Sequence, residues 1–419
     1  MATNRIWPIV AGSSFRAVLP ANTSRYFPVN GNLFVTSTGT WSQGVIRGSY
    51  TATAMFANVG SNLSTGNSTI FLSVNDVDSA LKVVIAATTT GTFVDTANSV
   101  ALVDGDVINY RSTVATGGTV GIQVAGIGMA QTGDIGVNFM MARGANNWIT
   151  AQRYFPLCGT SVLQTVEDEA TMRFQSPATL ANMRVFISGN TQSSGTYVFR
   201  LRLAGANGLS SLLIGSSQTG FFEDVTNVDP VNAGTNANFS GSGGSGGTLV
   251  GQLTQIYVTS TAIRFALSDP QASPQTATMN WPIAGKCSGV TTGSDFIAYI
   301  LPTSGTIGNL WFKGTYTPSN TMAVIVVKNG ADTIVTGSVG GAGSGTRSTV
   351  INSASVLSFI AGDTIYLRDS HTATGTVAML LFSVDFTPDL DTGAGVFDLD
   401  RIERRFGRGE GRGYFRGMG

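Results

Sequence analysis

Arg25-Tyr26-Phe27-Pro28, Arg153-Tyr154-Phe155-Pro156 and Asn280-Trp281-Pro282-Ile283 are three versions of one short stretch, an aromatic residue followed by proline. Their prolines are 128 and 126 residues apart. That period is far longer than a solenoid unit and is close to the length of one complete domain. The 419-residue chain therefore reads as three copies of one domain in tandem. Such an organisation suits a structural or binding protein better than an enzyme with one active site.

Further landmarks keep the same order. Phe71, Phe199 and Ile325 each lie 43 residues after their proline, in strand-like runs, and are expected at equivalent core positions. Phe56, Phe186 and Phe312 fall at offsets 28, 30 and 30 and are expected to be buried. A turn glycine recurs as Gly105, Gly234 and Gly362, and a last strand is expected around Phe139, Phe265 and Phe382. The drift between copies is what insertions in surface loops produce.

Composition sets the class. Only 11% of residues are charged and net charge is zero, while 42% are apolar and 53 are Gly. Disorder is excluded by that apolar fraction, and a weakly charged surface suits extensive permanent contacts. No apolar run of about 18 residues exists, so no membrane-spanning helix is expected. Met1-Ala2-Thr3-Asn4-Arg5 leads into no secretory core. Cys158 and Cys287 are too few for a disulfide scaffold and read as buried thiols.

Short Val/Ile/Thr/Phe runs alternate with turn signals such as Asn329-Gly330 and Asp104-Gly105. Spacing of this kind indicates an all-β sandwich or barrel, and about 125 residues hold roughly eight to ten such strands. The fold expected is all-β: three tandem antiparallel β-sandwich, jelly-roll-like domains with an Arg/Gly-rich C-terminal arm. The expected boundaries are a leader over 1–24, repeats over 25–150, 151–278 and 279–388, and an acidic hinge with the arm over 389–419; Trp7-Pro8-Ile9 echoes Trp281-Pro282-Ile283, so a first repeat that begins at Trp7 with an insertion is the alternative. Ser240–Gly247 reads as a flexible Gly/Ser loop inside the second repeat.

Candidate chemistry is sparse. His371 is the only histidine, beside Asp369 and Ser370, and a triad needs a supported spatial arrangement that this adjacency does not supply. Asp104 with Asp106 flank a turn glycine, where Asp serves local backbone bonding. Glu167, Asp168 and Glu169 read as a solvated loop. Asp389, Asp391, Asp398 and Asp400 could offer oxygens to calcium but lack an ordered ligand spacing. Gly340–Gly345 has no following Lys and helix, so it is no phosphate loop. Catalytic, cofactor and metal sites are therefore all expected to be absent.

The arm carries the most specific surface signal. From residue 401 onward six Arg face two Glu, a formal +4, against −4 for the rest of the chain. Arg401, Arg404, Arg405, Phe406, Arg408, Arg412, Tyr414, Phe415 and Arg416 are the candidates for contacts outside the chain, through charge-assisted bonds and aromatic burial. Docking to protein is favoured over a disordered solubilising arm, and binding nucleic acid ranks last, because so short an arm with two Glu attracts phosphate weakly.

Gly/Ser/Thr/Asn-rich domains with paired elements such as Val326-Val327-Lys328-Asn329-Gly330 and Phe359-Ile360-Ala361-Gly362-Asp363-Thr364-Ile365-Tyr366-Leu367 resemble structural proteins of tailed-bacteriophage particles. The resemblance spans nearly the whole chain and implies a fibre, head-decoration or tail component. It further implies assembly in the host cytoplasm, a place in the virion, and partnership with copies of itself (a trimer favoured) and with other virion proteins. A host-surface glycan would be a further partner. A secreted adhesin or carbohydrate-binding protein is the alternative, and a polysaccharide depolymerase a third reading without an identifiable acid pair.

Overall fold

The computed structural model describes residues 4–132, 136–160, 163–268, 278–286, 297–316, 321–339, 347–371 and 377–390. Its strands fall into three successive sets. The first holds β1 (Asn4–Pro20), β2 (Ser24–Phe27), β3 (Gly31–Asn32), β4 (Gly44–Val45), β5 (Tyr50–Asn62), β6 (Ser68–Val74), β7 (Val77–Ile85), β8 (Gly91–Leu102), β9 (Val107–Thr113) and β10 (Thr119–Thr132). The second holds β11 (Gly136–Trp148), β12 (Arg153–Phe155), a helical turn α1 (Glu167–Ala170), β13 (Met172–Arg173), β14 (Ala178–Asn190), β15 (Ser194–Leu203), β16 (Ala206–Gly215), β17 (Gly220–Val231), β18 (Asn236–Ser245) and β19 (Leu249–Ser260). The third holds β20 (Ile263–Ser268), β21 (Asn280–Trp281), β22 (Tyr299–Ile300), β23 (Gly305–Tyr316), β24 (Met322–Lys328), β25 (Ala331–Val339), β26 (Arg347–Asn352), β27 (Leu357–Phe359), β28 (Thr364–His371) and β29 (Val377–Pro388).

Each set makes two sheets with one strand order. The inner sheets run β1-β10-β5-β8, β11-β19-β14-β17 and β20-β29-β23-β26. The outer sheets run β2-β9-β6-β7, β12-β18-β15-β16 and β21-β28-β24-β25. Counting the eight principal strands of each set, both patterns are the same three times over: first-eighth-third-sixth and second-seventh-fourth-fifth. This is the eight-stranded double Greek key of a jelly roll. The chain is all-β, with three jelly-roll modules.

The expected boundaries at 24/25, 150/151 and 278/279 each fall one strand late. β1 is paired to β10 from Asn4 to Pro20, so residues 4–20 are the first strand of module one and no leader. β11 pairs with β19 and β20 with β29, placing both in the module that follows them. Phe139 and Phe265 accordingly sit on first strands, and only Phe382 lies on an eighth strand. Long apolar strands that end one module and start the next are separated by two or three residues, so a landmark search slides from one to the other.

The conserved geometry lies in turns. Pro28, Pro156 and Pro282 directly follow the second strands. Gly105, Gly234 and Gly362 all have φ between 85° and 90° and precede the seventh strands. Ala54, Asn182 and Asn309 put one left-handed residue (φ 48° to 55°) into each third strand, where the register slips by a bulge. Asn75-Asp76, Ala204-Gly205 and Asn329-Gly330 turn the hairpins between fourth and fifth strands, each with two positive φ values, as tight primed turns require.

Side chains correct three expectations. Phe71, Phe199 and Ile325 do share the fourth strand, but only Phe199 is buried. Leu72 pairs with Tyr110, Leu201 with Phe239 and Val326 with Leu367, so the core-facing equivalents of Phe199 are Ile70 and Val324, at offset 42. One residue of slip reverses the face in a period-2 element. Phe56 and Phe312 are buried, whereas Phe186 is half-buried against Phe221, 4.6 Å between centroids. Ser240–Ser245 belongs to β18, not to a loop: Gly241 pairs with Arg153 and Phe199, and a methyl there would overlap the Tyr197 ring. Glycine gives way to a neighbouring aromatic. Around it Trp148 and Phe199 stack 5.2 Å apart with Phe155 and Phe239, forming the core of module two.

Candidate functional site

The most elaborate polar chemistry in the molecule lies where the modules meet. Between the second and third principal strands of every module the chain makes an additional two-residue strand, β4, β13 or β22, on the edge of the seventh strand. Three equivalent residues clamp it. Ile46 exchanges backbone bonds with Asp106 and Gly105, Phe174 with Thr235 and Gly234, and Leu301 with Asp363 and Gly362, all at 2.7–2.9 Å. So held, the short strand is offered to the inner sheet of another module.

The pairing is cyclic. The Val45 amide donates to Gln255 Oε1 at 3.1 Å, and its carbonyl accepts from Gln255 Nε2 at 2.9 Å and from the Tyr257 hydroxyl. Arg47 pairs with Glu223 beside them. From module two, the Arg173 carbonyl accepts from Arg264 Nη1 at 2.7 Å, and Asp168 meets Lys313 Nζ through both its carbonyl and its carboxylate at 2.6 Å. From module three, the Ala298 carbonyl accepts from Asn58 Nδ2, and Tyr299 packs edge-on against Phe56 at 5.0 Å. Module one thus docks on two, two on three, and three on one. The chain closes on itself about a pseudo-threefold axis.

At the axis lie Asn30, Cys158 and Ala284, each two residues after its proline. Asn30 Nδ2 donates to the Phe139 carbonyl at 2.7 Å, and the Lys286 amide to the Gly12 carbonyl at 3.2 Å. Gly31, Gly159 and Gly285 adopt φ of 77°, 77° and 111° one residue farther on, and a methyl at Gly31 or Gly285 would overlap a carbonyl of the adjoining module. What space is left is a void of about 10 Å³ lined by all three modules, at the lower limit for a single water. Burial pushes the Cys158 thiol well above its ordinary range, so it stays protonated. The junction is filled, with no room for a substrate.

Carboxylates are likewise committed. Arg264 Nη2 and Asp385 Oδ1 form a 2.7 Å ion pair with side chains only 4% and 5% exposed. Ser176 and Asn309 donate to the other Asp385 oxygen. Glu167 is gripped by Arg202 through two bonds of 2.7 and 2.9 Å, and Glu167, Asp168 and Glu169 form α1, not the solvated loop expected. Asp106 accepts from Asn75 and Val103, as expected of a turn residue, and Asp104 from the Gly48 amide. Burial alone would raise the Asp363 carboxyl, but bonds from Asn329, the Ile360 amide and Lys328 hold it below the usual range. Asp369, on a strand, accepts from the Met279 amide. Among the described residues no group of three His, Cys, Asp or Glu could hold a metal. Asp389 is exposed; Asp391, Asp398, Asp400, Cys287 and Gly340–Gly345 lie outside the described residues.

The arm candidates Arg401, Arg404, Arg405, Phe406, Arg408, Arg412, Tyr414, Phe415 and Arg416 also lie outside the described residues. Residues that sequence reading missed are those of the junction: Gln255, Tyr257, Arg264, Asp385 and Asn58. One signal was present. Ile263-Arg264-Phe265-Ala266 sets a charge in an apolar strand, where it must find a buried partner. Another was the repeated Asp-x-x-Asn of Asp95–Asn98 and Asp224–Asn227. In both, the carboxylate caps two amides within its own sixth strand and reaches an amide on the fifth, at Lys82 or Ser211.

No family model matches the chain, and no curated protein matches it. Among solved structures, a chain of infectious bursal disease virus, Gx strain, aligns over 93% of this chain and 81% of its own at 6% identity, TM-score 0.20. A chain from the triple jelly roll fold and turret assembly of an archaeal virus aligns over 91% of both at 12% identity, TM-score 0.20. The insecticidal delta-endotoxin Cry8Ea1 of Bacillus thuringiensis aligns over 60% of this chain and 61% of its own at 9% identity, TM-score 0.17. Likenesses this slight carry no conclusion about the chain, whose fold rests on its own strand pairings.

Proposed function

We propose that this chain is a structural subunit of a virus particle, acting by assembly and not by catalysis. The observation that carries the reading is the closed ring. Three equivalent jelly rolls are locked into one body whose centre is filled, and the carboxylates that could have served as an acid pair are held in ion pairs or turns. A body so built offers shape and surface. The low charge supports permanent contact with neighbours, since charged groups are depleted from interface cores. We assign it to a tailed-bacteriophage particle, assembled in the host cytoplasm, as a fibre, head-decoration or tail component. Its partners are copies of itself, in closed symmetry with a trimer favoured, and other virion proteins.

The arm from residue 401 supplies attachment in this reading, with Arg404, Arg405, Arg408, Arg412 and Arg416 bonding to a neighbouring subunit. Locating the chain in an electron-microscopy map of purified particles tests the assignment, and density for three jelly rolls per subunit is expected. Deleting residues 401–419 should leave the melting temperature unchanged and reduce incorporation into particles. Normal incorporation of the truncated chain would make the arm incidental.

A further inference from the structure

Each outer sheet ends on its fifth strand, β7, β16 or β25, with one edge unpaired. An open edge pairs readily with another extended chain unless charge or a covering element blocks it. Two of the three edges are blocked. On β16, Asp229 accepts from the Leu209 and Ser210 amides at 2.7 and 2.9 Å, and Asp224 from the Ser211 amide at 2.9 Å. On β7, Asp95 accepts from the Lys82 amide at 2.9 Å, and the Lys82 side chain is exposed. The third edge lacks this device. Asn352 stands opposite Leu310 in module three, as Asp95 stands opposite Met55 and Asp224 opposite Met183. Its Oδ1 caps the Ala354 and Ser355 amides, as Asp95 caps Ala97 and Asn98. Its remaining group is a donor, and Nδ2 bonds the Thr336 carbonyl, so it cannot hold a strand N–H. Among the described residues no carboxylate accepts from a β25 amide.

An open groove of about 490 Å³ lies along this edge, lined by Lys328, Ala331, Asp332, Thr333, Ile334 and Leu357. Its charged groups are already paired, Lys328 with Asp363 at 2.9 Å and Asp332 with Arg368 at 2.7 Å. What it offers is apolar: Ile334 is 61% exposed, and so is 56% of Val356, next to Leu357. The chain's own continuation leaves close by. Gly305 pairs with Phe359 on one side and with Pro388 on the other, which sets the end of β29 two strand spacings, about 10 Å, from β27. Nine residues past Pro388 the sequence reads Phe397-Asp398-Leu399-Asp400. Alternation of apolar and acidic residues is the pattern of a strand with one buried face. Nine extended residues reach up to about 30 Å, ample for the distance.

We propose that residues 396–400 of the same chain add a fifth strand to the outer sheet of module three, pairing with β25 and laying Phe397 and Leu399 into the groove. Backbone bonds to the open edge supply affinity, and the groove selects the alternate side chains. Asp398 and Asp400 then face water. A segment tethered so near acts at an effective concentration of roughly millimolar, so its own groove takes it ahead of any other copy's. The Arg-rich arm from residue 401 would start from the outer surface of module three. This docking holds whether or not the chain enters a particle.

Amide hydrogen exchange tests it on the full chain, on chain 1–400 and on chain 1–390, which keeps every described strand. Amides of residues 331–336 should exchange about tenfold or more slowly in the full chain and in 1–400 than in 1–390. Those of residues 206–211, held by Asp229 and Asp224, should be equal in all three. Phe397→Asp with Leu399→Asp in the full chain should exchange at 331–336 as 1–390 does. Equal exchange of 331–336 in 1–400 and 1–390 overturns the proposal. Slowing that vanishes on dilution assigns the groove to another copy's segment and overturns it too, as does slowing that requires residues 401–419.

Discussion

The seam between modules one and two and the seam between modules two and three have one geometry and two chemistries. In both, a short strand clamped beside a glycine turn presents backbone carbonyls to the inner sheet of the next module. At the first seam the answering groups are neutral, Gln255 and Tyr257 on Val45, with Arg47–Glu223 at its margin. At the second they are ionic and buried, Arg264 and Asp385, with Lys313 on Asp168. Backbone position is therefore what the repetition preserves. Any donor of suitable reach can meet a carbonyl, so the side chains have been free to diverge.

The ionic seam should be the more fragile to a single change. Asp385→Ala leaves the Arg264 guanidinium buried with the Arg173 carbonyl as its remaining bond, and should cost about 3–5 kcal/mol. Arg264→Met with Asp385→Leu should recover most of that loss, because an apolar pair carries no orphaned charge. Equal melting of the single and double variants would show that the pair's charge is immaterial. Gln255→Leu, at the neutral seam, removes both side-chain bonds to Val45 and should cost about 1–3 kcal/mol by urea unfolding. A larger loss than Asp385→Ala would invert the comparison. Asp168→Asn should cost less than about 1 kcal/mol, since that carboxylate is 63% exposed and Lys313 keeps the Asp168 carbonyl.

These seams also mark where sequence reading stopped. Proline spacing, turn glycines and the Asn-Gly hairpin revealed three equivalent all-β units, because turns need particular residues wherever they occur. Strand registry was less legible. The offset of 43 residues mixed inner Phe199 with outer Phe71 and Ile325, since each module's insertions shift a two-residue period. The first strands were assigned to the wrong units because nothing in Phe139 or Phe265 says which sheet it joins. Two-residue strands such as Gly44–Val45 carry no pattern to read. Gln255 has no signature at all: its role comes from the carbonyl brought to it by module one.

The central claim is that three modules close into one ring and do not trail in a row. Small-angle X-ray scattering from the unassembled full chain measures this directly. A single compact body of this length should give a radius of gyration of roughly 22 Å, slightly more with the arm. The same three modules strung end to end would exceed about 30 Å, and a value in that range would contradict the closed ring.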